Sequence, residues 1–173
     1  MSAEPTGRRS DVLGRLDHLQ ARLDRLESLK AIEDLHRTFT RAVADRQFTE
    51  LADYFCPDAV IDMRRHGPIA GRSAIAEHFS GMAAVPLSGA GYVLSSPVVE
   101  VDGDTATGTW TWHRFNADAV VGMKQVRVWG VWEEGRYRCQ YRRIDGVWRF
   151  ARMHFRVVLP DRDDPQDASE ETS

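Results

Sequence analysis

Leu13, Leu16, Leu19, Leu23, Leu26 and Leu29 recur at steps of three and four residues, the repeat that lines one face of an α-helix. Ser10-Asp11, just ahead of them, are residue types that cap a helix N-terminus, so a helix is expected from residue 10. Leu16, Leu19, Leu23 and Leu26 also fit a short a/d seam, whereas the later steps to Leu29, Ile32 and Leu35 run in threes and carry the stripe around the axis. Two readings follow: a helix docked on its own domain, or a contact between subunits. The repeat continues through Ile32, Leu35, Phe39 and Val43 and stops near Asp45. Residues 48–55 read as a second, short helix ended by Cys56-Pro57-Asp58. Residues 59–63 read as a strand and residues 64–67 as a turn. Gly71-Arg72-Ser73 then leads into a third helix carrying Ile75, His78, Phe79 and Met82.

Beyond Gly89 the period changes to two. Residues 92–101, 105–115, 126–144 and 147–158 are rich in β-branched and aromatic residues, and Asp102-Gly103 and Asp145-Gly146 between them are hairpin signals. An antiparallel meander is expected. On its third strand Tyr137, Cys139 and Tyr141 share one face and Arg138, Gln140 and Arg142 the other, which implies an apolar inside and a basic outside. Trp110 and Trp112 share a face with Ala106 and Gly108. The expected fold class is α+β: a cone-shaped barrel of three N-terminal helices packed on a strongly curved, mixed, mostly antiparallel sheet. The domain is expected to run over residues 10–159, with disordered tails at 1–9 and 160–173, where small polar residues, acids and proline prevail.

Composition narrows the function classes. The 173 residues are 42% hydrophobic and 28% charged with a net charge of -3, which argues against general attraction to nucleic acid. No apolar run approaches the roughly 20 residues that span a bilayer, so no membrane partner is expected. Cys56 and Cys139 alone provide neither a disulfide framework nor a metal knuckle, which suits a reducing cytoplasm. His-x-His, His-Glu-x-x-His, Gly-x-Ser-x-Gly and phosphate-loop patterns are missing, so neither a metal nor a cofactor is expected.

The stretch Ala44-Asp45-Arg46-Gln47-Phe48-Thr49-Glu50-Leu51-Ala52-Asp53-Tyr54-Phe55-Cys56-Pro57-Asp58-Ala59-Val60 closely resembles the opening of SnoaL-like, nuclear-transport-factor-2-like domains. In the same order, Gly67-Pro68-Ile69-Ala70-Gly71-Arg72 resembles the family's lead into its third helix. Val99-Glu100-Val101-Asp102-Gly103-Asp104 resembles its first hairpin, and Gly135-Arg136-Tyr137 and Asp145-Gly146-Val147-Trp148 complete the set. The likeness covers about residues 29–159. Such a resemblance implies a cone enclosing a small apolar molecule, in a family that includes scytalone and bile-acid dehydratases, polyketide cyclases, ketosteroid isomerase and limonene epoxide hydrolase. The dehydratases use an acid at the end of the first helix with nearby tyrosines and sheet histidines. Asp45 matches that acid and His113 one sheet histidine, while Thr40, Met63, Tyr92 and Cys139 replace a tyrosine, a tyrosine, a histidine and an aspartate.

A carboxylate at the rim of a dry cavity has its charged form disfavoured and can carry a proton, so Asp45 is the expected acid/base. His113 and Tyr92 are the expected partners that polarise or protonate a leaving oxygen. His113 alternates with Trp112 and faces inward only if a bulge intervenes. Tyr54, Met63, Trp110, Trp112, Tyr137, Cys139 and His154 are expected to wall the substrate pocket. His18, His36, His66 and His78 read as helix-surface or turn residues. The expected function is metal-free dehydration, isomerisation or cyclisation of a hydrophobic oxygenated molecule such as a polyketide, terpenoid or steroid, in a homo-oligomer that is a dimer or trimer. The alternatives are a non-catalytic ligand-binding or assembly subunit, and an epoxide hydrolase in which Asp62 joins Asp45.

Overall fold

From Arg15 to Ala44 the chain has neither glycine nor proline, and a single helix results. A computed structural model describes residues 6–63, 67–82, 90–122 and 125–159. Helix α1 (Thr6–Ala44) runs 39 residues, about 60 Å at 1.5 Å per residue. It begins at Thr6, ahead of the expected Ser10-Asp11 cap, so residues 6–9 of the expected tail are helical. Residues 1–5 and 160–173, and most of the expected 64–67 turn, lie outside the described residues.

The two halves of α1 differ. Every residue from 11 to 27 is exposed, whereas Ser28, Ile32, His36, Phe39, Thr40 and Ala42 are buried against the domain. The helix stops where Arg46 takes a left-handed φ of 60°. There the Gln47 N–H donates to the Ala42 carbonyl at 2.9 Å and the Arg46 N–H to the Val43 carbonyl at 3.2 Å, the paired bonds of a Schellman cap. Buried Phe48 then turns the chain back onto the core.

The expected middle helix is absent. In its place is one 3₁₀ turn (Leu51–Tyr54), after which strand β1 (Phe55–Met63) starts earlier than expected. Pro57 explains this, because it excludes Cys56 from the helical region and draws the chain into an extended path. A three-residue edge strand, β2 (Pro68–Ala70), was not anticipated; its proline suits an edge. Helix α2 (Arg72–Met82) follows. Among the described residues there are thus two α-helices, not three.

Strands β3 (Ala90–Asp102), β4 (Thr105–Gly122), β5 (Gln125–Ile144) and β6 (Val147–Leu159) form the expected meander. Asp145 and Gly146, at φ 51° and 76°, make the two-residue turn between Ile144 and Val147. The whole sheet is mixed, in the order β2-β1-β6-β5-β4-β3, because β1 lies parallel to β6 while every other pair is antiparallel. Helix α1 lies against β3 and β6, and α2 against β1 and the 3₁₀ turn.

Alternation along the strands sorts the faces as the sequence implies. Tyr137, Cys139 and Tyr141 are buried while Arg136, Arg138 and Gln140 are exposed. The inner face meets α1 in an aromatic core: the Phe39 ring lies 5.7 Å from that of Phe55 and 5.2 Å from that of Phe150, and Trp112 stacks on Phe155 at 5.1 Å. No described helix is long and apolar enough to cross a membrane.

A buried histidine cluster as candidate site

Four residues after Ile32 and three before Phe39, His36 occupies the face of α1 that enters the core. It is fully buried, not a surface residue as expected. Its ring lies 4.4 Å from that of Trp110, 5.0 Å from that of Tyr137 and 5.3 Å from that of Phe150. The spacing Ile32, His36, Phe39, Val43 was the available signal.

A polar chain runs through this apolar setting. The Trp110 Nε1–H donates to the Tyr141 hydroxyl oxygen at 2.7 Å, and His36 Nδ1 stands 3.2 Å from the same oxygen. An indole N–H can only donate, so Tyr141 accepts there and its own proton is available for Nδ1. When the Tyr141 proton goes to Nδ1 rather than to the neighbouring Cys139 sulfur, the ring proton sits on Nε2, an atom that is buried and has no hydrogen-bond partner. Burial pushes the His36 pKa down to about 3, so the ring is neutral near pH 7. Burial likewise raises the Cys139 thiol to about 12 and Tyr141 well above the usual phenol range. The cluster can therefore donate and accept hydrogen bonds at neutral pH without carrying charge.

Of the residues expected from sequence, the structure brings Trp110 and Tyr137 against His36 and Cys139 beside Tyr141. Trp112 and Met63 belong to the same apolar body but reach it through Phe155, the stacking partner of Trp112 and the register partner of Met63.

The other positions fall elsewhere. Asp45, expected in a dry rim, has a side chain 56% exposed and 3.6 Å from Arg41; as the last residue before the Schellman turn it points outward. His113 faces outward with no bulge at that point: it pairs in register with Glu134, and their side chains approach to 3.4 Å on the outer face. His154 also lies on the outer face, in a groove of about 460 Å³ with Arg138, Gln140 and Arg152. Tyr54 is half-buried and lines a separate groove of about 620 Å³ beside Asp34, Asp53 and Trp148. Tyr92 pairs with Arg114 through the backbone, and its side chain lies outside the described residues. Asp62 alternates with buried Ile61 and pairs in register with His154, so it sits on the outer side of β1 and does not share a buried water site with Asp45. Among the described residues no group of histidine, cysteine and carboxylate side chains could hold a metal ion.

The protein is an α+β domain with a mixed sheet and a neutral polar chain sunk in aromatic rings. The chain belongs to the SnoaL-like domain family, whose defining pattern matches residues 24–154. No curated protein matches it significantly. Among solved structures it is similar to an NTF2-like protein with a cystatin-like fold from Novosphingobium aromaticivorans (23% identity, 88% of this chain and 95% of that one, TM-score 0.63). It is also similar to a candidate scytalone dehydratase from the same organism (20% identity, 78% and 87% covered, TM-score 0.63) and to LinA (24% identity, 79% and 89% covered, TM-score 0.64).

Proposed function

We propose that this SnoaL-like chain is a small-molecule enzyme whose sheet curls over α1 as a cone and presents a hydrophobic oxygenated substrate to His36. The observation that carries the reading is the buried, unpaired Nε2 of His36. An unsatisfied buried donor costs about 1–3 kcal/mol, and a substrate carbonyl or hydroxyl oxygen would remove that cost on binding. Trp110, Tyr137 and Cys139 supply the apolar wall that selects a polyketide, terpenoid or steroid skeleton.

A neutral imidazole held by Tyr141 is a weak base but a well-placed donor. As negative charge develops on the substrate oxygen, the Nε2–H hydrogen bond strengthens in surroundings that screen it little, which lowers the barrier to passing an adjacent proton to a water molecule that enters with the substrate; in a dehydration the departing hydroxide takes that proton back and leaves as water. That chemistry suits metal-free dehydration, isomerisation or cyclisation, with Tyr92 as the second polarising group that its family position implies. Asp45, exposed to water, no longer serves as the proton carrier of this reading.

The experiment is turnover of aromatic ketones and hydroxylated polyketide analogues, with Trp fluorescence and the His36 ring ¹⁵N shift reporting binding. His36→Phe is expected to cut turnover by orders of magnitude while leaving the melting temperature within a few degrees. An unchanged rate, or a ¹⁵N shift indifferent to every ligand that binds, ends the assignment.

A non-catalytic ligand-binding subunit is the second reading. It is favoured by the cause of the depressed His36 pKa, which is burial, with no contribution from a carboxylate among the described residues. Under it, His36→Phe weakens binding but no compound in the panel is converted.

A further inference from the structure

The N-terminal half of α1 carries a second pattern that the interior site does not use. Val12, Leu16, Leu19, Leu23 and Leu26 follow alternating steps of four and three, and each is between 48% and 60% exposed. At 100° per residue this stripe lies roughly 150° around the axis from the face of Ile32, His36 and Phe39 that enters the core. Because α1 is one unbroken helix, the domain that grips its C-terminal half cannot also cover the leucines on the opposite side.

We infer that the occupant of this stripe is a second copy of the chain, its α1 lying parallel to the first in a short two-stranded coiled coil over residues 12–26. Alternating four and three places Val12, Leu19 and Leu26 at d positions and Leu16 and Leu23 at a positions. Arg15 and Arg22 then fall at g, and Leu13, Gln20 and Glu27 at e. In a parallel pair each g residue lies beside the following e residue of the other helix. Arg22 therefore meets Glu27 of the partner subunit, and Arg15 meets the partner's Gln20. In an antiparallel pair the g rows face one another and set arginine against arginine.

The ion pairs within the chain leave the decisive charges available. Arg15 lies 3.4 Å from Asp11 and Gln20 donates to Asp24 at 2.8 Å, but among the described residues Arg22 and Glu27 make no ion pair. Charge complementarity thus selects both the partner and its direction. The seam holds the two domains side by side at the same end of the pair.

Light scattering on the full chain at tens of micromolar should give the mass of two subunits. Leu19→Glu with Leu23→Glu should reduce it to one, while Ala21→Glu, on the far side of the helix, should leave it at two. Val12→Cys should cross-link under mild oxidation, because parallel helices set the two Val12 positions together whereas antiparallel ones set Val12 against an a position such as the partner's Leu23; buried Cys56 and Cys139 do not compete. Arg22→Glu should weaken the dimer several-fold, and adding Glu27→Arg should restore it. A wild-type monomer, or a mass unmoved by the two leucine substitutions, overturns the seam. A dimer that fails to cross-link through Val12→Cys, or that Glu27→Arg fails to restore, overturns the parallel arrangement.

Discussion

The indole of Trp112 occupies the space that a side chain on Gly135 would need. The two residues face each other across β4 and β5, and a Cβ built on Gly135 would lie 2.3 Å from the Trp112 ring and 2.2 Å from the Arg156 carbonyl oxygen. Gly135→Ala is therefore expected to destabilise the domain by about 3 kcal/mol, at the upper end of overpacking costs. Because one of the two obstacles is backbone, adding Trp112→Leu should not rescue it; urea titration of the single and double variants checks both statements.

His36 sets the acid sensitivity of the fold. Its folded pKa is about 3, below the ordinary value of about 6.5, so between these limits the unfolded chain binds a proton that the folded chain does not. The stability it contributes is complete above pH 6.5 and is lost as pH falls toward 3, at about 1.4 kcal/mol per pH unit. In His36→Phe that slope should flatten by this amount between pH 6 and 4.5, as read from unfolding free energies.

Tyr141→Phe removes one oxygen and strands two groups, the Trp110 Nε1–H and His36 Nδ1. A loss of about 3 kcal/mol is expected. The same substitution in a Trp110→Phe background should cost less, because one of the stranded groups is already gone. Additive losses in thermal or urea unfolding would mean that the Trp110 and His36 contacts do not meet at Tyr141.

Asp45→Asn is expected to change stability by less than about 0.5 kcal/mol, as for other exposed ion pairs. Ligand binding in the same variant, followed by Trp fluorescence, should match that of the parent chain.

What the sequence disclosed and what it hid follow from the range of the interactions. The β3-to-β6 meander was readable because its signals are local: alternation at every second residue, and an Asp145-Gly146 pair that only one kind of turn accommodates. The early start of β1 and the 3₁₀ turn depended on Pro57 outweighing a helical pattern. The parallel pairing of β1 with β6 left no local trace. His36 reads as a surface residue because a lone histidine on a helix is usually solvated, although its spacing from Ile32 and Phe39 puts it on the face that enters the core. Asp45 shows the converse: its place in the family pattern was legible, but its surroundings were set by a helix cap that turns the side chain to water.

The pairing of Phe55 with Phe150 has a consequence for how the protein is made. A ribosome that has released β1 must synthesise nearly all of the meander before the strand that flanks it exists. Until then the central position of the sheet is vacant and an apolar edge waits unpaired, a state prone to sticking to other chains. Folding is thereby tied to the arrival of the last strand, and a nascent chain stalled in the β5–β6 turn is the form expected to need a chaperone.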